Sequence, residues 1–123
     1  MAKRRILFVD DDASILKTVG KRLEFYGFDV AVVSDPVPAV AQAQAQRPDL
    51  IVLDLELPGL DGFDICRALK ADAQCRMIPI VIFTGKGEGQ DDERAKAAGA
   101  AAYVNQLEGT GALLQRINTI LGA

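Results

Sequence analysis

Five short apolar runs punctuate the chain, and between them the apolar positions spread out to helical spacing. The first run, Arg5-Ile-Leu-Phe-Val9, is rich in β-formers and reads as a strand. After it, Ile15, Leu16, Val19 and Leu23 recur on one helical face. Asp12 is placed to cap that helix, and Gly27 to end it in the left-handed conformation. Val30 to Val33 is the second strand. Asp35 and Pro36 open an Ala/Gln-rich helix through Gln46, with Asp35 as its cap, and Arg47-Pro48-Asp49 breaks it. Leu50 to Leu53 is apolar without alternation, as suits a strand covered on both faces. Pro58 and Gly59 turn the chain, and Asp61 caps a third helix from about Phe63 to Lys70. Phe63, Cys66 and Leu69 share one face of it. Ile78 to Phe83 is the fourth strand, Asp91 to Ala98 a polar helix ended by Gly99, and Ala102 to Val104 the fifth strand. Thr110 to Leu121 is the last helix, with Leu113, Leu114, Ile117, Ile120 and Leu121 apolar.

Strands and helices therefore alternate five times across short connections. That pattern predicts an α/β fold: a doubly wound, five-stranded parallel sheet with helices on both faces. A length of 123 residues, with no repeat or linker, predicts one domain over 1–123. The net charge of −3 argues against nucleic acid as the main partner, because phosphate backbones call for basic patches. Lys3, Arg4 and Arg5 are the one basic cluster and read as a solvated strand start. Asp91, Asp92, Glu93, Arg94 and Lys96 read as a solvated surface or as part of a dimer face. Cys66 and Cys75 make no disulfide framework, so reduced thiols in the cytoplasm are the simpler expectation. The chain holds no histidine, which excludes imidazole catalysis by its own residues. No run is long and apolar enough to suggest a signal or a membrane span.

Candidate chemistry gathers at the strand ends. In a parallel sheet all C-terminal tips lie on one edge, where open α/β sheets place their sites. Asp10 and Asp11 follow the first strand, Asp54 the third, Thr84 stands at the end of the fourth, and Asn105 and Gln106 follow the fifth. By itself Asp54 reads equally well as a residue bonding the next loop. Asp12 suffices as a cap, so Asp10 and Asp11 exceed what the helix start requires. If the first, third and fourth strands are neighbours, three carboxylates and a hydroxyl converge. Like charges so close raise one another's pKa unless a cation neutralises them. Mg²⁺ suits such oxygens, and a carboxylate beside Mg²⁺ and a hydroxyl suits phosphoryl transfer.

The motifs Ile6-Leu-Phe-Val-Asp-Asp-Asp12, Leu53-Asp-Leu-Glu-Leu-Pro-Gly-Leu-Asp-Gly62, Ile80-Val-Ile-Phe-Thr84, Ala98-Gly-Ala100 and Tyr103-Val104 together resemble the receiver domains of two-component response regulators, including the single-domain chemotaxis type. The resemblance covers essentially the whole chain. It implies a flavodoxin-like sheet of order 2-1-3-4-5. By position it implies Asp54 as phosphoacceptor, Asp11 as direct Mg²⁺ ligand and Asp10 as ligand through a metal-bound water. Glu56 would give the metal its backbone carbonyl, Thr84 would bind the phosphoryl group, and Tyr103 would be the aromatic switch residue. A histidine kinase or phosphotransfer protein would supply the phosphoryl group, and output would run through contact with a further protein. No turnover of an external substrate is implied.

One stretch departs from the family. Its members usually carry lysine, proline and an aromatic after the switch residue, where this chain has Gln106, Leu107 and Glu108. Gln106 donates hydrogen bonds but carries no cation. The Gln106–Leu107 bond is expected to be trans, which gives the following loop a different path. Lys86 stands two residues past Thr84, either as a solvated loop lysine or as partial compensation. These changes also fit a phosphorylation-independent pseudo-receiver that binds a partner constitutively. An aspartyl-phosphate phosphatase needs a second acid as Asp-x-Asp, and Asp54-Leu-Glu56 meets that imperfectly. Flavodoxin itself would need a phosphate-binding loop where this chain has three acids.

Overall fold

The computed structural model describes residues 3–35, 37–57, 59–85 and 91–122. Five parallel strands form the main sheet: β1 (Arg5–Val9), β2 (Asp29–Val33), β3 (Leu50–Leu53), β6 (Ile80–Thr84) and β7 (Ala102–Asn105). They lie in the order β2-β1-β3-β6-β7, which is the expected 2-1-3-4-5 once two short hairpin strands are set aside. Those are β4 (Glu56–Leu57) and β5 (Leu60–Asp61), an antiparallel pair around Gly59 at φ +70°. Five helices complete the fold: α1 (Ala13–Phe25), α2 (Ala39–Gln46), α3 (Gly62–Ala71), α4 (Asp91–Ala97) and α5 (Thr110–Leu121).

The two-residue period of each strand divides the core. Leu7, Val9, Ile51, Leu53, Ile80 and Ile82 pack on one face with residues of α2, α3 and α4. Ile6, Phe8, Leu50, Val52, Val81 and Phe83 pack on the other with residues of α1 and α5. Right-handed crossovers explain the division. The step from β1 to β2 runs in one direction along the sheet. The steps from β2 to β3, β3 to β6 and β6 to β7 run in the other, so α2, α3 and α4 share the opposite face from α1. The reversal opens a crevice beyond the tips of β1 and β3, which are paired to the end, Val9 opposite Leu53.

Several predicted boundaries shift. Asp35 does not cap α2: its carboxylate accepts from the Val37 N–H at 3.1 Å in a turn of its own, and α2 begins at Ala39. Pro38 biases Val37 away from helical geometry, so the helix starts only beyond it. The fourth sheet strand begins at Ile80 rather than Ile78, because the Ile78 carbonyl accepts from Lys70 Nζ at 2.7 Å and the ladder begins with the Pro79 carbonyl, which bonds the Ile51 N–H. Asp12 and Asp61 do cap α1 and α3, and Gly27 has φ +99° past the end of α1. Arg4 and Arg5 are more than a solvated strand start: Arg5 Nη1 donates to the Gln46 carbonyl at 2.7 Å, and Arg4 Nη2 to the Leu121 carbonyl at 3.3 Å. Cys66 and Cys75 are buried and free, and burial pushes both thiols up to about 11. No helix among the described residues is long and apolar enough to cross a membrane.

Candidate functional site: an acidic cleft at the strand tips

Asp10 and Asp54 each follow four consecutive buried strand residues, 6–9 in β1 and Leu50–Leu53 in β3, so both are carried into the interior with their strands. Asp10 is fully buried and Asp54 nearly so, while Asp11 is exposed. A carboxylate oxygen of each of the three lies within 4.8 Å of the others. The expected convergence of β1 and β3 is therefore met. Asp12 caps the helix, its Oδ1 accepting from the Ser14 and Ile15 N–H groups at 2.9 and 3.2 Å, while it also lines the cleft beside the three acids.

The cluster is electrostatically incomplete. Asp10 Oδ1 accepts from the Asp12 N–H at 2.9 Å, but Asp10 Oδ2 and Asp54 Oδ1 are buried with no hydrogen-bond partner among the described residues. Burial, more than the neighbouring charges, pushes the Asp10 carboxyl up to about 7, and Asp54 and Asp11 add to it. Asp54 is raised for the same first reason. Hydrogen bonds from the Thr84 side chain and from the Glu56 and Leu55 N–H groups oppose that rise. The mutual repulsion expected from the spacing is thus real but secondary to desolvation. Two unsatisfied carboxylate oxygens facing a third acid fit a hard divalent cation such as Mg²⁺.

Around the cluster lies an open cleft of about 940 Å³. Glu56 on the hairpin and Gln106 after β7 line its walls with Gly85. Gln106 is half-buried, and a methyl group added at Gly85 would sit 3.3 Å from its Oε1. Tyr103 is half-buried on β7, outside the lining, beside α4. Burial raises its phenol, helped by the charges of Asp91, Glu108 and Asp92. Lys86, the candidate compensating cation, lies outside the described residues.

Gly62 fixes the cleft floor. A methyl group added there would lie 2.5 Å from the Asp54 carbonyl oxygen and 2.6 Å from Leu55 Cα, so α3 begins in backbone contact with the Asp54 loop. Phe63, next in sequence, is buried and lines the cleft. Over its ring, 4.4 Å from the centroid, stands the Arg94 guanidinium. Arg94 lies 3.9 Å from Asp61 Oδ2 and 3.8 Å from Asp91 Oδ1, and both acids also line the cleft. This corrects the reading of Asp91 and Arg94 as plain solvated surface: Asp91 is buried, and Arg94 is the one cation lining the cleft among the described residues.

The departing stretch is closed on itself. Asn105 accepts from the Leu107 N–H at 2.8 Å, and Glu108 Oε2 accepts from the Asn105 N–H at 2.8 Å, a reciprocal capping box around the 3-10 turn Gln106–Glu108. No cis peptide bond occurs among the described residues, in line with the expected trans Gln106–Leu107. The pattern Asn-x-x-Glu carried that signal in the sequence.

Comparison with known proteins agrees with this geometry. The family model of the response regulator receiver domain matches residues 6–118. The DNA-binding response regulator MtrA of Mycolicibacterium paratuberculosis is 42% identical over 102 residues, 83% of this chain and 44% of MtrA. The chain spans under half the length of the first curated relatives it matches. The chemotaxis protein CheY4 of Vibrio cholerae superposes with a TM-score of 0.87 at 29% identity, covering 96% of this chain and 98% of CheY4. The receiver domain of the sensor histidine kinase PA1611 from Pseudomonas aeruginosa, a structure with a magnesium ion coordinated in its active-site cleft, gives 0.88 at 30% identity over 99% of this chain and 100% of that one.

Proposed function

The chain belongs to the response regulator receiver domain family of two-component signalling, and from that premise we propose that Asp54 accepts a phosphoryl group from a partner histidine kinase or phosphotransfer protein. The observation that carries the reading is the pair of buried oxygens, Asp10 Oδ2 and Asp54 Oδ1, that meet no partner among the described residues at the crevice where the strand order reverses. An Asp54 oxygen attacks phosphorus, forming an acyl phosphate. The bond from phosphorus to the donor breaks, and its electron pair leaves with the donor, the imidazole of a phosphohistidine or the acetate of acetyl phosphate. Attack needs the ionised carboxylate, which burial disfavours and the Thr84, Glu56 and Leu55 hydrogen bonds favour. Thr84 then binds a phosphoryl oxygen, and Gln106, which follows the neighbouring strand β7, offers a neutral donor beside it. Asp10, Asp11, Asp54 and the Glu56 carbonyl would hold Mg²⁺, which supplies positive charge against the carboxylates and the phosphoryl oxygens. In this reading the receiver domain occupies 1–123, works in the cytoplasm without nucleic acid or membrane, and turns over no external substrate. Its output is contact with a downstream protein.

The test is intact mass after incubation with acetyl phosphate and Mg²⁺. The expected result is one phosphorylated species in the wild-type protein and none in Asp54→Asn. A second reading, a constitutive pseudo-receiver, is favoured by the self-closed turn at Asn105–Glu108. Mg²⁺ binding without phosphorylation by any donor would select it.

A further inference from the structure

We propose that Arg94 is the cation that binds the phosphoryl group in this protein, entering from α4 rather than from the end of β7. The inference rests on phosphorylation of Asp54. Gln106 leaves the wall after β7 without charge, and Arg94 is the one positive group among the described residues lining the cleft. A dianionic phosphoryl group in a cleft shared by Asp10, Asp11, Asp12, Asp61 and Asp91 requires positive charge beyond a single divalent ion.

The position of Arg94 suits that task. Its guanidinium stacks 4.4 Å from the centroid of Phe63, a ring held rigid by burial and joined through Gly62 to the backbone of Asp54. Its charge contacts are loose. The distances of 3.9 Å to Asp61 and 3.8 Å to Asp91 exceed hydrogen-bond reach, and the arginine side chain is exposed. Asp61 has committed Oδ1 to the Phe63 N–H at 2.9 Å, where it caps α3, so Oδ2 faces Arg94. The pair with Asp61 is exposed on both sides and therefore weak, and the contact with the buried Asp91 lies beyond hydrogen-bond length, so neither acid fixes the guanidinium. A phosphoryl group offers the guanidinium fork two oxygens at bidentate spacing and a full negative charge. The phenyl ring is the fixed pivot, and the head group turns from the two acids toward the crevice.

Arg94→Met keeps the contact with Phe63 and removes the charge, and Arg94→Lys keeps the charge and removes the fork. Each is compared with the wild-type chain for phosphorylation rate with acetyl phosphate by intact mass, for Mg²⁺ affinity by calorimetry, and for thermal melting. Loss of one charge-assisted contact predicts that Arg94→Met is phosphorylated about tenfold or more slowly, with Arg94→Lys in between. Mg²⁺ affinity rises or holds, because a competing cation has gone from the cleft, which a disrupted site would not show. Equal rates in wild type and Arg94→Met overturn the proposal, as does a slower variant whose Mg²⁺ affinity falls and which lysine does not rescue. Wild-type protein that takes no phosphoryl group overturns both this inference and the phosphoacceptor reading, and the wild-type arm alone reports that case.

Discussion

At the tips of β1 and β3, Asp10 and Asp54 each bury a carboxylate oxygen that meets no partner among the described residues. On the same edge of the sheet, past the tip of β7, Asn105 and Glu108 bond each other's backbone N–H groups or those between them and complete a turn that needs nothing from outside. The first region keeps the family's acids at every motif position, and the second has exchanged the family's lysine, proline and aromatic for Gln106, Leu107 and Glu108. The contrast teaches where external groups enter. Unsatisfied buried oxygens carry a standing desolvation cost that a cation or phosphoryl complex relieves. A satisfied capping box has no such cost to relieve, so binding at the acidic edge gives the β7 end little reason to rearrange.

The largest expected effect is the pH dependence of the metal-free protein. Asp10 is raised from 3.8 to about 7 in the folded state, and Asp54 moves in the same direction. Between those values the folded protein holds a proton that the unfolded chain has released. Stability contributed by this group is therefore full below about pH 4 and lost as pH rises to about 7, at up to about 1.4 kcal/mol per pH unit. Mg²⁺ binds the ionised cluster, so its stabilisation is expected to be large above pH 7 and to fade toward pH 5 as protons compete. Urea unfolding across this window, with chelator and with Mg²⁺, measures both trends. A flat profile in chelator would mean that the acidic edge is as well satisfied as the turn after β7, and the contrast would be gone.

Next in size is Gly62→Ala. The new methyl group would meet backbone, the Asp54 carbonyl oxygen at 2.5 Å and Leu55 Cα at 2.6 Å, and neither can yield by a rotamer change. Overpacking of this kind costs ~1–3 kcal/mol. Because the strain falls on the loop that carries Asp54, Mg²⁺ affinity is expected to fall with the melting temperature. A stable variant with unchanged Mg²⁺ binding would show that the floor of the cleft is softer than its geometry implies.

Much of this arrangement was legible in the sequence, for identifiable reasons. Leu50–Leu53 and Arg5–Val9 are short, apolar and bounded by turn residues, so strand ends could be read to the residue, and Asp10, Asp54 and Thr84 followed at the tips. Asp12 and Asp61 stand just before periodic segments and cap them. The hairpin Glu56–Asp61 was not legible, since strands of two residues have no period. The late start of α2 was hidden by Asp35, a good cap in composition whose carboxylate serves a turn instead. Arg94 was missed because a charged helix face looks the same in sequence whether it meets solvent or a cleft of acids. Only the placement of α4 against Phe63 distinguishes the two. The box at Asn105-Gln-Leu-Glu108 is legible in the Asn-x-x-Glu spacing alone.

The smallest expected effect addresses that box. Glu108 is exposed, and its Oε2 holds the Asn105 N–H at 2.8 Å. Glu108→Ala removes that bond and leaves Asn105 accepting from the Leu107 N–H, so half of the reciprocal pair survives. The stability loss expected is ~0.5–1 kcal/mol, the scale of one capping interaction, read by urea unfolding. The more telling measurement is the amide spectrum on phosphorylation or Mg²⁺ binding. In the wild-type chain the shifts are expected to stay near Asp10, Asp11, Asp54 and Thr84 and, on phosphorylation, at Phe63 and Arg94, with Tyr103 and α5 little changed. In Glu108→Ala, where the turn after β7 is free to rearrange, they should spread along Gln106 and into the first turn of α5. Wild-type shifts already reaching Tyr103 and α5 would show that the closed turn transmits the signal without opening. Coupling across this edge would then run through the packing of β6 against β7, where Thr84 is paired with Asn105, and the two regions would act as one.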